Sequence, residues 1–439
     1  MAADPPTRPD LPPLSSRLVR WLPEGPSVRR HVRRVVLITS SSRGGSSIFA
    51  EMLRQRRDLL HLRAELNPFL ALSGLSWGQP GMPDSDSLDP SLLDGPGGEA
   101  RAQQLDRWLA AECGRPKTTL TDPELPSYGA QLALRLNLQW PGEAIHPEEV
   151  TAHVRKVLSA LRAPGDESFP DIHTFFAELL VRLRVDHPVI HPGWYDLDRG
   201  VVARVWPGLP PPEGPPPDSS VEEPPFVLVH PWESATAADL ERLPLVIKTP
   251  SNAYRLPFLR RFFAGARVDV LHLTRNAAAS INGLYDGWRF YGFYAHHVGE
   301  PLRVAGYTDH RPQDAGWWKF DLPPGWRAWR ERPLEELCAF QWRSAHAAAL
   351  DDQERAPNLD RFSLAFEDVL AGRLDRVDAW LGHERTPRPD ELPPVMATAP
   401  PRQRRWFQRA GLLQRVLADP ATTLLMARLG YPAEPELWL

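Results

Sequence analysis

The first clear pattern in this chain is a short apolar run followed by an amphipathic segment. The β-branched run at residues 35–39 predicts a strand. In residues 46–57, apolar side chains such as Phe49 and Leu53 recur every three or four positions, which predicts a helix covering one face of a sheet. A second short extended segment, LLHLRAE, follows at residues 59–65. The folded part of the chain is therefore expected to begin as strand, helix, strand.

The same alternation returns in the C-terminal half. Its predicted elements are, in order, strand 245–249, helix 251–263, strand 268–273, helix 277–288, an extended run at 361–366 and a helical segment at 375–381. Apolar strands separated by amphipathic helices pair in parallel and carry helices on both faces. We therefore predict an α/β fold with a P-loop-like parallel sheet flanked by helices, and ligand-binding loops at the carboxyl ends of the strands.

The middle of the chain has a different character. Residues 76–99 are turn-rich, residues 101–190 alternate helical patterns with breaks, and residues 206–226 carry too many prolines for a helix or a central strand. These segments predict a helical and Pro-rich insert. The predicted units are an N-terminal Pro-rich extension (1–30), the first part of the core (31–75), the insert (76–240) and the second part of the core (241–439).

Composition narrows the classes of protein to consider. The 439 residues are 42% hydrophobic and 24% charged, which is typical of a soluble globular protein. A net charge of −4 argues against a nucleic-acid partner, so an anion site has to be local. Cys113 and Cys338 are too few for a disulfide framework and fit a reducing compartment. With no signal-peptide pattern and no run of about 18 apolar residues, we expect a cytoplasmic protein without a transmembrane segment.

The turn between the first strand and helix reads SSRGGSS, at residues 41–47. Small residues let the backbone approach a ligand closely, and the helix that follows presents its free N–H groups and positive dipole end. Arg43 adds a fixed positive charge, and Ser46 and Ser47 add hydroxyls. Gly45 precedes serine rather than the lysine of a nucleoside-triphosphate loop, which disfavours a plain ATP or GTP site. The alternatives are therefore another anion site or a simple connecting turn.

Three cations stand at the carboxyl ends of three predicted strands: Arg43, Lys248 and Arg275. A single surface lysine or arginine is usually just solvated or ion-paired. Because the carboxyl ends of parallel strands meet at one edge of a sheet, we expect these three side chains to lie together. The sequence thus predicts an anion-binding site at this edge.

These residues bring a family resemblance. SSRGGSS resembles the P-[KR]-S-G-T-[ST] loop with which sulfotransferases hold the 5′-phosphosulfate of 3′-phosphoadenosine-5′-phosphosulfate, and VLHLTRNAAASINGLYDGW at residues 270–288 is similar to their 3′-phosphate segment. The similarity covers about half of the chain. It extends through IKTPSNAYRLPFLRRFF (247–263), FSLAFEDVLAG (362–372) and LLMARLGY (424–431).

The chain resembles a large bacterial-type member of this family with inserts. The resemblance implies transfer of a sulfuryl group from 3′-phosphoadenosine-5′-phosphosulfate to a hydroxyl or amine of a small molecule, glycan or natural product. The product nucleotide would be adenosine 3′,5′-bisphosphate, and no metal is expected. Arg43 and Lys248 would stabilise the leaving phosphate. The implied cofactor-binding residues are Arg43, Gly44, Gly45, Ser46, Ser47, Lys248, Arg275, Ser280, Gly283, Arg404 and Arg405.

The chain departs from the family pattern at several positions. Ser42 replaces the loop proline and Gly44 replaces the loop serine. The family's 3′-phosphate serine, eight residues after the arginine, corresponds to Gly283, so Ser280, Asn282 or backbone N–H groups would have to take its place. The 3′-phosphate would then depend chiefly on Arg275.

The general base is expected to be a glutamate. Many members place a histidine two residues after the strand-end lysine, but that position holds Pro250, which cannot accept a proton. Other members use a glutamate downstream of the phosphosulfate helix, and Glu65 in LRAELNPF matches that pattern. The other interpretations are a helix-cap or ion-paired Glu65, with His296 or His297 as the base.

The nucleotide lid and acceptor pocket are less clearly marked. PPRQRRWFQR at residues 400–409 is the candidate basic loop, with Arg404 or Arg405 on the 3′-phosphate, although a basic helix face gives the same letters. Aromatic side chains suited to stack on an acceptor, or to ordinary core packing, are concentrated in HPGWYDL (191–197), GWRFYGFYAHH (287–297) and GWWKFDLPPGWRAW (316–329). The insert at residues 76–240 would form the acceptor lobe.

Two other functions stay open at this stage. A nucleotide-dependent kinase would use the same loop, but the chain lacks the Walker lysine and an evident acidic strand end for magnesium. A non-catalytic module would hold a nucleotide or a partner peptide without transfer. The sequence leaves the acceptor and the oligomeric state open.

Overall fold

The strands of the protein set the positions of its loops. The computed structural model describes residues 13–216, 220–382, 384–388, 394–399, 404–434 and 438. Residues 1–12 of the predicted extension and 400–403 of the predicted basic loop lie outside this part of the chain. The strands are β1 (Arg34–Thr39), β2 (Leu60–Leu62), β3 (Cys113–Pro116), β4 (Trp232–Ser234), β5 (Leu245–Lys248), β6 (Arg267–Thr274), β7 (Tyr294–His297), β8 (Trp317–Lys319) and β9 (Arg361–Ala365).

Seven of these strands form a central sheet in the order β4-β3-β2-β5-β1-β6-β9. The five strands from β2 to β9 in this order pair in parallel. β3 and β4 pair antiparallel at the edge next to β2, and β7 and β8 form a separate antiparallel pair. The predicted parallel sheet is confirmed for its central strands, with an antiparallel edge that the sequence did not predict.

Helices cover the sheet and build the rest of the protein. The α-helices of the described ranges are α1 (Leu14–Leu18), α2 (Val28–His31), α3 (Ser46–Arg54), α4 (Asn67–Leu72), α5 (Gly95–Glu112), α6 (Leu125–Gln139), α7 (Pro147–Leu161), α8 (Ile172–Asp186), α9 (Arg199–Val205), α10 (Ala237–Arg242), α11 (Leu256–Phe262), α12 (Ala277–Arg289), α13 (Leu334–Arg355), α14 (Phe366–Leu370), α15 (Asp375–Leu381), α16 (Ala410–Leu417) and α17 (Pro420–Arg428).

The two faces of the sheet follow from alternation along β1. Successive side chains of a strand point to opposite faces. Val35 and Leu37 pack in one apolar cluster with residues of α4, α5 and α11. Val36 and Ile38 pack in a second cluster with residues of α3, α14 and α15. The expectation of helices on both faces is therefore confirmed.

Two further apolar clusters lie beside the sheet. Residues of α6, α7 and α8 form one of them with Trp194, Tyr195 and Phe226. The other joins α12, α13, α16 and α17 to aromatic residues of the β7–β8 region. The predicted division into core and insert stays a prediction, although the region assigned to the insert also supplies β3 and β4 to the central sheet.

Several element boundaries differ from the expected ones. The predicted helix 251–263 is split into a 3₁₀ helix, Pro250–Tyr254, and α11. Pro257 lies in the first turn of α11 and has no N–H to donate to the carbonyl oxygen of Ala253, so a helix running unbroken through this point would lack a hydrogen bond. The predicted helix 46–57 ends at Arg54. In the region expected to be turn-rich, α5 already begins at Gly95.

Two observations bear on cysteine chemistry and on membranes. Cys113 and Cys338 are buried and free of disulfide bonds. None of the helices in the described ranges has the length and apolar character required to span a membrane.

Candidate functional site

The loop between β1 and α3 has a backbone shape that depends on glycine. The N–H of Gly44 donates to the carbonyl oxygen of Ser41 at 3.0 Å and closes a turn. Arg43 and Gly45 have φ angles of +61° and +95°, in the left-handed region. A Cβ atom on Gly45 would overlap the ring of Phe366. Glycine at position 45 therefore permits both the turn and the close approach of α14.

A buried carboxyl group, that of Asp321, anchors this loop. The Ser42 hydroxyl donates to Asp321 Oδ1 at 2.6 Å, and the Tyr254 hydroxyl donates to Asp321 Oδ2 at 2.8 Å. Burial raises the pKa of Asp321 to about 6, although both hydrogen bonds act in the opposite direction. Ser42 thus ties the loop to the segment after β8.

A cavity of about 690 Å³ opens at the carboxyl ends of the parallel strands. Ten of the twelve residues predicted for the site line it: Arg43, Gly45, Ser46, Ser47, Glu65, Lys248, Arg275, Gly283, Arg404 and Arg405. Gly44 and Ser280 do not line it. Ser280 is fully buried, and its hydroxyl has no hydrogen-bond partner within the described ranges. The cavity brings together residues from four strand ends and from the segment before α16.

The side chain of Arg43 is partly buried by neighbouring residues. Its guanidinium donates to the carbonyl oxygen of Met396 at 2.7 Å and lies 5.1 Å from the centre of the Phe293 ring. The Nε atom is buried and has no hydrogen-bond partner in the described structure. Burial, together with the nearby charges of Arg275 and Arg405, lowers the pKa of Arg43 to about 10. A bound anion would stabilise the charged form of Arg43.

Arg275 follows β6 directly and touches the anion loop. Its guanidinium donates to the carbonyl oxygen of Arg43 at 3.1 Å and lies 5.0 Å from the centre of the Phe366 ring. The indole N–H of Trp342 donates to the Arg275 carbonyl at 3.2 Å. Burial lowers the pKa of Arg275, and the neighbouring Glu367 carboxylate opposes that shift. The two arginines are thus adjacent and held by backbone groups.

Helix α12 carries a glycine where it faces this pair of arginines. A Cβ atom on Gly283 would lie 3.2 Å from the Cβ of Arg43, so the absence of a side chain leaves room beside the loop. Asn282 also lines the cavity, and its side-chain oxygen accepts a hydrogen bond from Arg409 at 2.6 Å. The carboxylate of Asp286 on the same helix pairs with Arg405 and with Arg409. The basic segment that contains Arg405 and Arg409 therefore packs on α12.

Lys248 and Glu65 meet across neighbouring parallel strands. Lys248, the last residue of β5, donates from Nζ to Ser47 Oγ at 3.1 Å and forms an ion pair with Glu65. Glu65 lies just beyond β2, which pairs in parallel with β5. Pro250 also lines the cavity. A carboxylate is thus placed beside the strand-end cation, in the region where the sequence predicted a base.

Four carboxyl groups that line the cavity were absent from the predicted site: Glu51, Glu222, Glu223 and Asp321. Burial raises the pKa of Glu223 well above its usual range, and the charges of Glu65, Asp321 and Asp86 act in the same direction. Glu223 lies in the Pro-rich connector, where no periodic pattern indicates which side chains turn inward. Asp321 lies in an aromatic-rich segment, residues 316–329, whose pattern does not single out this carboxylate.

The predicted acceptor segments reach the cavity only in part. Phe293 and Phe320 line it, but no residue of segment 191–197 does. His296 lies outside the cavity lining, 3.6 Å from Asp86, and His297 lies outside it against the Trp317 ring. Neither histidine is positioned here as a base.

Comparison with known proteins adds little to this geometry. No family model matches the chain, and a search of the curated proteins finds no match. Among solved structures, the sulfotransferase domain from the curacin biosynthetic pathway aligns over 92% of this chain and 100% of that domain, with 11% sequence identity and a TM-score of 0.37. A TM-score this low supports no argument about function. Fold and site together define an α/β protein with a cation-rich pocket at the carboxyl edge of its sheet.

Proposed function

We propose that this protein is a sulfotransferase that uses 3′-phosphoadenosine-5′-phosphosulfate to sulfate a small-molecule, glycan or natural-product acceptor. The observation that carries the proposal is that Arg43, Lys248 and Arg275 meet in one cavity around a glycine-containing turn. The order and spacing of these residues match the family's phosphosulfate loop, strand-end lysine and 3′-phosphate arginine. The proposed location is the cytoplasm.

The residues of the cavity fit this nucleotide. A volume of about 690 Å³ is within the range of small-molecule sites. The Nε atom of Arg43 is a buried donor that the described part of the protein leaves without a partner. Ser46 and Ser47 would hold the phosphosulfate at the start of α3, and Arg275, with Arg404 or Arg405, would hold the 3′-phosphate.

The chain's own groups would act mainly through charge. When bound, the nucleotide supplies the sulfuryl group. Transfer places negative charge on the leaving phosphate oxygen, and Arg43 and Lys248 are the cations positioned to stabilise it. Glu65 would accept the proton of the acceptor hydroxyl.

The ion pair between Lys248 and Glu65 links these two roles. A carboxylate paired with an ammonium group is a weaker base than a free one. If Lys248 moves towards a bound phosphate oxygen, the Glu65 carboxylate loses this partner and becomes available to the acceptor hydroxyl. Binding of the nucleotide would therefore prepare the base.

The test compares nucleotides by thermal unfolding. Adenosine 3′,5′-bisphosphate should raise the melting temperature more than AMP or ATP does, because it alone carries both the 5′- and 3′-phosphates. A metabolite extract incubated with protein and cofactor should then yield a product heavier by the mass of SO₃. Equal or absent thermal shifts would refute the proposal. ATP turnover with magnesium would indicate a kinase, and bisphosphate binding without transfer to a broad acceptor panel would indicate a binding module.

A further inference from the structure

Within the cavity, one carboxyl group differs from its acidic neighbours. Glu65 is paired with Lys248, and Asp321 accepts hydrogen bonds from Ser42 and Tyr254. Glu223 has no hydrogen bond or ion pair to any residue that the structure describes, although it lines the same cavity. A partly buried carboxylate without a partner is costly, because water solvates it incompletely and no protein charge replaces that water.

The residue beside it shows the contrast. Glu222 is bound by Arg135 and by the side-chain amide of Gln139, the latter at 3.1 Å. These contacts fix the connector backbone, so Glu223 is held at the cavity wall by a neighbour whose own charge is compensated. The contacts of Glu222 thus determine where Glu223 lies.

The charges facing Glu223 are mostly of its own sign. Glu65, Asp321 and Asp86 are the like charges that act most strongly on it, and Lys248 is the cation that opposes them most strongly. Asp86 is compensated by Arg255 at 2.8 Å, whereas Lys248 is already paired with Glu65. A neutral ligand that displaced water from this region would leave Glu223 protonated and uncharged. A ligand cation would stabilise the ionised carboxylate and pair with it.

The adjacent wall is apolar. The rings of Phe293 and Phe320 stack with their centroids 4.8 Å apart, and both line the cavity. Pro224 and Pro225, directly after Glu223, line it too. Such a surface suits a ring or hydrocarbon body joined to the cationic group.

We propose that the acceptor carries a protonated amine that pairs with Glu223, while its hydroxyl is presented to Glu65. The inference rests on the proposed sulfotransferase function and narrows its acceptor class to amino alcohols and amino phenols with an apolar body. Glu223 is then a specificity-determining residue for the acceptor.

The first measurement is binding and does not depend on turnover. The protein is saturated with adenosine 3′,5′-bisphosphate and titrated calorimetrically with tyramine and 4-aminocyclohexanol, each beside its N-acetyl counterpart. A charge-assisted pair predicts that the amines bind about 10- to 100-fold more tightly than the neutral compounds. Equal or weaker binding of the amines in both pairs would overturn the inference.

Variants assign the effect to one side chain. Glu223→Gln should bring each amine to within about threefold of its N-acetyl counterpart, and Glu223→Asp should retain part of the preference. Glu354→Gln, which alters an exposed carboxylate outside the cavity lining, should keep the wild-type ratio. An amine preference that survives in Glu223→Gln would contradict the assignment.

The second measurement separates this inference from the function on which it rests. The ratio of kcat/KM for tyramine to that for N-acetyltyramine should follow the binding ratio. If the bisphosphate binds and neutral phenols are sulfated without any preference for amines, the acceptor inference fails and the sulfotransferase proposal stands. If the bisphosphate does not bind, the sulfotransferase proposal itself fails.

Discussion

The ammonium group of Lys248 lies 3.1 Å from the hydroxyl oxygen of Ser47. This hydrogen bond joins the end of β5 to the first turn of α3, the helix that follows the anion loop. Lys248 also pairs with Glu65 beyond β2. A single side chain therefore connects three elements around the cavity.

Replacing Glu65 by Gln should remove the proposed base while keeping the size of the side chain. Turnover should fall by about 10²–10⁴-fold, and the affinity for adenosine 3′,5′-bisphosphate should stay nearly unchanged. Steady-state kinetics and calorimetry measure the two quantities, with Glu354→Gln as the matched control. Unchanged turnover would refute the role, and a parallel loss of nucleotide affinity would point to a structural role beside Lys248.

Replacing Arg275 by Ala should discriminate between two nucleotides. Loss of one charge-assisted contact should weaken adenosine 3′,5′-bisphosphate binding by about 10- to 100-fold. AMP, which lacks the 3′-phosphate, should be affected much less. Arg428→Ala, at a partly exposed ion pair, serves as the control. An equal loss for both nucleotides would mean that Arg275 acts by holding the carbonyl oxygen of Arg43.

Replacing Gly45 by Ala should damage the anion loop. Alanine at a φ of +95° costs about 1–3 kcal/mol, and overlap with Phe366 adds roughly 1–3 kcal/mol more. Gly78 has a φ of +82° and open space around a Cβ atom, so Gly78→Ala isolates the backbone cost. Urea unfolding followed by tryptophan fluorescence should rank Gly45→Ala as the less stable variant. Equal stabilities would show that the loop relaxes away from α14.

The stability of the protein should depend on Asp321 in a defined pH range. Its folded-state pKa of about 6 lies above the ordinary 3.8, so the folded protein holds this proton more tightly than the unfolded chain does. The contribution is present at low pH and is lost as the pH rises through about 6. From about pH 4 to about pH 7, wild type should lose on the order of 2–3 kcal/mol relative to Asp321→Asn. Parallel stability curves for the two proteins would contradict the raised pKa.

How much of the fold could be read from the sequence depends on how local each signal is. β1, β5 and β6 are apolar runs followed by amphipathic helices, and their parallel pairing follows from that alternation. The segments Cys113–Pro116 and Trp232–Ser234 are too short and too mixed for a periodic pattern. They are strands because they pair with each other and with β2, which is a property of the tertiary structure.

The same distinction holds for the site. Arg43, Lys248 and Arg275 could be placed together because strand ends share one edge of a parallel sheet. Their roles towards a nucleotide stay predictions. Glu223 could not be placed, because the route of a Pro-rich connector is set by distant contacts such as that of Glu222 with Arg135.

The antiparallel pair β3–β4 limits how far the chain can be shortened. β3 satisfies the open hydrogen-bonding edge of β2, and β4 in turn covers β3. A shortened protein without the middle region would expose the edge of β2, a template on which strands of other molecules can add. A shortened form of the protein would therefore have to keep both strands to resist aggregation.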